Sequence, residues 1–178
     1  MKVLMSAVCA GLLMLVAVSG GASAQTKTGA EARLKAMNIT LPAVSDPAAN
    51  FVLSVRAGKL LFLSGNTPGP GWTQNGKLGK DLTAEQGAQA ARQAGIVMLA
   101  KLRAALGSLD RVKRIVKVLG MVNSAESFGE QPKVMNGFSD LMVEVFGPEI
   151  GKHARTAVGM ASLPGNAPVE VEMIVEVK

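Results

Sequence analysis

Thiol chemistry has almost nothing to work with in this chain. The single cysteine, Cys9, lies inside an apolar run at the N-terminus, so the body of the protein offers no disulfide, thiol nucleophile or thiolate ligand. Histidine occurs once, at His153, and tyrosine not at all. One imidazole without a cysteine builds neither a zinc site nor a hydrolytic triad, so no metal is expected. His153 itself reads as a structural loop residue just before a strand, with a ring that titrates near neutral pH. Aromatic residues make up only 3% of the chain, five Phe and one Trp. Platforms for nucleic acid interleave aromatics with basic residues, whereas the net charge of +6 here is dispersed. It reads as a solvated basic surface, and no nucleic-acid partner is expected. Gly69, Gly71, Gly76 and Gly79 lack the spacing and the strand-loop-helix setting of a phosphate loop.

What the chain does have begins with a targeting pattern. Lys2 precedes an apolar run from Val3 to Val18, and Ala22-Ser23-Ala24 follows. A positive start, an apolar middle and an Ala-x-Ala site together make a secretory signal peptide. The run is shorter than the roughly 20 residues of a membrane span, so cleavage after Ala24 is expected, with no membrane attachment afterwards. Residues 25–178 would then reside in the periplasm or outside the cell, where a chain without cysteine is at home.

The organisation expected from 1–24 onward is a leader and one domain. Residues 25–50 hold a short helix, Ala30 to Met37, and an extended stretch with Pro42 and Pro47. Residues 51–178 form the domain. Phe51 to Ala57 and Leu60 to Gly65 read as strands around a Gly58-Lys59 turn. A glycine- and proline-rich loop with the only Trp, Trp72, runs to Leu82. Thr83 and Gln86 have the spacing of a capping box. Behind them Ala91, Gly95, Met98, Leu102 and Leu106 form an apolar stripe at helical spacing, and Gly107 ends it. Val112 to Val122 reads as a central strand. Pro132 starts a second helix through Phe146, burying Val134, Phe138, Leu141, Met142 and Val145. The order β-β-α-β-α-β-β is an α+β fold, one sheet with two helices on one face. Its other face would carry Ile174 and Ala157, too apolar for water, which points to a symmetric oligomer.

The stretch from His153 to Lys178 concentrates the candidate chemistry. Val169, Val171, Met173, Val175 and Val177 alternate with Glu170, Glu172, Ile174 and Glu176, the period of a strand with one buried face. The preceding strand carries Arg155 beside short neighbours. A hairpin closed near Pro164-Gly165 would put Arg155 on the face of Glu170, Glu172 and Glu176. Arginine grips a carboxylate through two parallel bonds, and an adjacent glutamate can move protons or orient water. A cross-strand ion pair or a solvated acidic face is the plainer reading of the same residues. Ser64-Gly65 ends the second strand, where a glycine lets a ligand approach the backbone.

Several of these pieces are similar to one family. LFLSGNTP at Leu61 to Pro68, the helix opening DLTAEQ, DRVKRIVKVLGMVNSAESF from Asp110, and above all HARTAVGMASLPGNAPVEVEMIVEV resemble the reactive intermediate deaminase (RidA, formerly YjgF) family, also called endoribonuclease L-PSP-like. The resemblance implies a chorismate-mutase-like fold, a homotrimer with ligand clefts between subunits, and no cofactor. Typical members hydrolyse enamines and imines such as 2-aminoacrylate to 2-oxo acids and ammonia. Carried over, Arg155 holds the substrate carboxylate and Glu170 orients water or transfers the proton. Ser64 and Gly65 line the cleft, and Asn136 corresponds to a cleft asparagine. Phe51 stands where typical deaminases carry tyrosine, so a hydroxyl is lost, and Ala157 stands where many have cysteine. The HAR form and the longer insert around Trp72 mark a divergent branch. For an exported member, imines released by amino-acid or amine oxidation are the expected substrates. A non-catalytic binding trimer of the same fold is the alternative. The family's older nuclease label fits poorly with so few aromatics and one histidine.

Overall fold

The structure is a computed structural model and describes residues 29–178; the signal peptide expected at 1–24 lies outside the described residues. Strands β1 (Ser54–Ala57), β2 (Leu60–Asn66), β3 (Val112–Asn123), β4 (Ala154–Met160) and β5 (Val169–Val177) form one mixed sheet in the order β1-β2-β5-β3-β4. Helices α1 (Ala30–Ala36), α2 (Ala84–Leu106), α3 (Gln131–Phe146) and the short α4 (Pro148–Gly151) complete it. This is the α+β architecture expected from the sequence, with α4 added.

Local chemistry accounts for the long helices. Thr83 accepts from the Gln86 backbone while the Gln86 side chain takes the Thr83 N–H, a closed capping box. Such a cap stabilises a helix by about 1 kcal/mol. α2 then buries Ala91, Gly95, Met98, Leu102 and Leu106, as its stripe predicts. α3 buries Val134, Phe138, Leu141, Met142 and Val145 on the same core, against Ile115, Val118 and Val122 of β3 and the odd-numbered side chains of β5. The two helices approach closely at Gly137, where a Cβ would stand 2.0 Å from the Ala88 carbonyl oxygen. Only a hydrogen fits there. The helix expected in the leader is α1; its Leu34 inserts into the shared core, and its Glu31 is held by Arg103 and the Leu109 N–H.

The tail is not a hairpin. β4 and β5 flank β3 on opposite sides, β4 parallel to it and β5 antiparallel. The cause is the chain between β3 and β4. Parallel neighbours need a crossover of a dozen residues or more, usually a helix, and α3 supplies one. β5 then returns through residues 161–168 to the vacant edge of β3, where it also pairs with β2. Adjacency in sequence pointed to pairing between β4 and β5; the helical crossover overrides it.

The register sorts the side chains into two faces. Leu63, Met173, Val118 and Arg155 are aligned across four strands on the helix-covered face, and Asn66, Val171, Gly120 and Ala157 form the next row. The opposite face carries Val55, Phe62, Ile174 and Lys117 in one row and Glu172, Leu119 and Thr156 in another. A third row there is Glu170, Met121 and Val158. No described helix covers this second face, and Val55, Phe62 and Val158 are exposed on it. Ile174 lies on this bare face as expected, whereas Ala157 lies under the helices and packs against the core.

Candidate functional site

Arg155 occupies the outer edge of the sheet, because β4 has only one strand neighbour. Its guanidinium extends from the helix-covered face to α3. Nη1 donates to Asn136 Oδ1 and to Ser139 Oγ, both at 3.0 Å, and Nη2 donates to the Pro132 carbonyl at 3.2 Å. Pro132, Asn136 and Ser139 recur at i, i+4 and i+7, one stripe of an α-helix, so a single flank of α3 presents all three acceptors. A guanidinium has five N–H groups. Among the described residues, Nε–H and one Nη2–H have no partner, and no carboxylate pairs with Arg155. The charge is oriented but not neutralised.

His153 extends this cluster. Its Nδ1–H donates to the Gly151 carbonyl at 2.7 Å, which fixes the tautomer, and its Nε2 lies 3.1 Å from Ser139 Oγ. The ring stands edge-on to Phe138. Burial pushes its pKa below the ordinary value; the Gly151 bond opposes that shift, and the Arg155 charge reinforces it. A neutral ring at neutral pH is the consequence.

Glu170 belongs to a second group. Its carboxylate lies against Gly65, where a Cβ would stand 2.2 Å from Oε1. Gly65 and Ser64 sit at the irregularity between β2 and β5, where the regular register breaks after Leu63 and resumes at Asn66. Ser64 ties down the preceding segment, donating from Oγ to the Val52 carbonyl at 2.7 Å and from N to the Leu53 carbonyl. Phe51 adjoins that segment and is exposed. Burial raises the pKa of Glu170, with repulsion from Glu172 adding to it and Lys101 working against it. Such a carboxyl exchanges protons closer to neutrality than an ordinary one.

The family model described as YjgF/chorismate mutase-like, putative endoribonuclease, matches residues 31–177. The chain belongs to the YjgF family. Protein TCP17 of Trypanosoma cruzi is 48% identical over 147 residues, which cover 82% of this chain and 92% of that protein. The crystal structure of Atu1372 from Agrobacterium tumefaciens, a protein of unknown function, is 41% identical with a TM-score of 0.76. That likeness covers 84% of this chain and 92% of that one. A Shewanella oneidensis structure carrying the same endoribonuclease label is 34% identical with a TM-score of 0.79, covering 84% and 99%.

Within one copy of this YjgF-family chain, the expected site residues fall into two sets. Asn136, Arg155 and Ala157 share the helix-covered face at the β4 edge. Gly65 and Glu170 meet where β2 pairs with β5, and Ser64 joins them to the segment that carries Phe51. Arg155 therefore does not share a face with Glu170, Glu172 and Glu176, because the pairing that would align them does not form. Glu176 pairs with Lys113 at 2.8 Å instead. The hydrogen-bonded partners of Arg155 on α3 include two that reading the sequence missed, Ser139 and the Pro132 carbonyl. Their seven-residue spacing around Asn136 was the available signal. A groove of about 230 Å³ opens on the uncovered face between Phe62, Lys117, Leu119, Glu172 and Ile174; none of the expected site residues lines it. The Trp72 loop is fastened elsewhere, by Lys77 Nζ to Asn123 Oδ1 at 2.9 Å and by Gly76 N–H to the Asn166 carbonyl.

Proposed function

We propose that this protein binds a small carboxylate in clefts between the subunits of a homotrimer and hydrolyses its C=N bond, as an enamine or imine deaminase. The observation that carries the reading is Arg155, a guanidinium held by three neutral acceptors with no described carboxylate to neutralise it. That is a charge prepared for an anionic ligand, and its open Nε–H and Nη2–H suit the two oxygens of a carboxylate. Glu170 faces the other side of the same sheet, so a complete site takes Arg155 from one subunit and Glu170 from a neighbour. The exposed Val55, Phe62 and Val158 on the uncovered sheet face supply a reason for the subunits to associate.

In this site Arg155 fixes the carboxylate of a 2-imino acid. Glu170 takes a proton from water as the water oxygen adds to the imine carbon, and passes that proton to the imine nitrogen. The carbinolamine then collapses as Glu170 takes its hydroxyl proton and delivers it to the departing amine, releasing ammonia and a 2-oxo acid. A glutamate with a raised pKa serves both as base and as acid. Export, if the N-terminus is cleaved, would place this chemistry beside oxidations of amino acids or amines in the periplasm.

The test is ammonia release from imines generated in place by an L-amino-acid oxidase. A rate above buffer that falls at least about tenfold in Arg155→Met is expected, since a charged hydrogen-bonding partner is lost. Pyruvate binding without any rate above buffer would favour a non-catalytic binding trimer, a reading to which the Phe51 position, lacking a hydroxyl, gives some weight. RNA cleavage that survives purification and the loss of Arg155 would favour the nuclease label.

A further inference from the structure

We propose that His153, acting through Ser139, is the positioning residue that sets the Arg155 guanidinium for its ligand. The inference rests on the carboxylate-binding reading above and adds the device that orients the grip.

Nδ1 of His153 faces the Gly151 carbonyl at 2.7 Å and must carry the hydrogen. In the neutral ring Nε2 is then a pure acceptor. The group opposite it is Ser139 Oγ at 3.1 Å, so the serine hydroxyl donates to the ring. A hydroxyl whose single hydrogen is committed turns its lone pairs elsewhere, and Arg155 Nη1 lies 3.0 Å away, ready to donate to them. The chain therefore runs one way, from guanidinium to hydroxyl to imidazole, with the carbonyl anchoring the far end. Without an acceptor at Nε2, the hydroxyl is free to rotate, and its hydrogen can point at the cation.

The surroundings support a polar rather than a packing role. His153 meets Phe138 of α3 edge-on at a centroid distance of 6.2 Å, an ordinary apolar contact that any side chain of similar size could make. The polar contacts of both ring nitrogens are specific. α4 presents a carbonyl to the ring, α3 a hydroxyl, and β4 the Arg155 charge. Lys117 of β3 is turned away, donating to Thr156. Ser139 and Asn136 together take both Nη1 hydrogens, so the plane of the guanidinium is set by α3, and His153 keeps one of those two acceptors in the correct orientation.

The experiment is a pyruvate titration of the full-length protein followed by NMR, with thermal melting of each variant as a control for folding. His153→Leu fills the volume against Phe138 but offers no acceptor, whereas His153→Gln restores an oxygen near the Nε2 position. Wild type should bind pyruvate. His153→Leu and Ser139→Ala should each weaken binding about tenfold, and the double variant should be no weaker than either alone, because both cut one chain. His153→Gln should stay within about threefold of wild type. A His153→Leu protein that melts normally and binds within twofold of wild type would overturn the proposal. So would multiplicative loss in the double variant, or a glutamine variant as weak as the leucine one. If Arg155→Met binds pyruvate as wild type does, or wild type does not bind it, the carboxylate reading itself fails and this inference falls with it.

Discussion

Gly65→Ala separates the proposed role of Glu170 from the stability of the fold. A Cβ at Gly65 would stand 2.2 Å from Glu170 Oε1, 3.1 Å from Cδ and 3.4 Å from Cγ. Ordinary contact begins near 3.4 Å, so the carboxylate oxygen must retreat by about 1.2 Å. The backbone does not resist, since Gly65 has no positive φ. Turning one carboxylate off its rotamer costs about 1 kcal/mol. Replacing Gly by Ala returns roughly 0.4–1 kcal/mol through the unfolded chain. The two nearly cancel, and the melting temperature should move by no more than about 4 °C. Catalysis has no such compensation, because a misplacement of about 1 Å in a reacting group can cost roughly a hundredfold. The assay is ammonia release under saturating imine, paired with a melting curve and a pyruvate titration. Hydrolysis should fall about a hundredfold while pyruvate, held by Arg155, binds within a few-fold of wild type. Wild-type turnover in a normally folded Gly65→Ala protein would refute the assignment of Glu170 as the group that handles water.

Glu170 also makes a pH-dependent claim. Its pKa in the folded protein is raised, chiefly by burial, so its ionised form disfavours folding above that pKa and the effect disappears below the ordinary glutamate value. Glu170→Gln should therefore raise the melting temperature at neutral pH, with the gain shrinking to nothing as pH falls towards 4.5; a gain that grows on acidification would contradict the sign. Assembly is addressed on the bare sheet face. Phe62→Lys with Val158→Lys should convert the proposed trimer to monomers in light scattering and abolish the proposed ammonia release, while the helix content stays unchanged. A trimer that survives both charges would move the interface elsewhere.

The legible part of this protein is the part governed by local chemistry. Thr83 with Gln86, the Ala91-to-Leu106 stripe and Gly107 define α2 without reference to anything distant, and β5 declares its buried face by alternation alone. These signals depend on side chains within one or two turns of each other. The sheet order does not. Nothing between His153 and Lys178 says that β4 will pair with a strand on the far side of α3, because strand pairing is decided by the crossover connection and by which edge remains vacant. That non-local step moved Arg155 to the opposite face from Glu170 and dissolved the hairpin on which a single-chain site depended. It also explains why candidate residues can be named one by one while their relation within one copy is misread. A resemblance proposes Arg155 and Glu170 position by position and does not depend on topology; a contact inferred from adjacency does. Ser139 and His153 show the same limit from the other side. Fourteen positions apart in sequence, they meet only because α3 lies over the β4 edge, and the physical warrant for their joint role is a proton direction that a string of letters does not contain. If the two halves of the site are to act on one molecule, a second copy must bring Glu170 to Arg155, and the exposed Val55, Phe62 and Val158 on the uncovered face are a physical reason for such a copy to bind there.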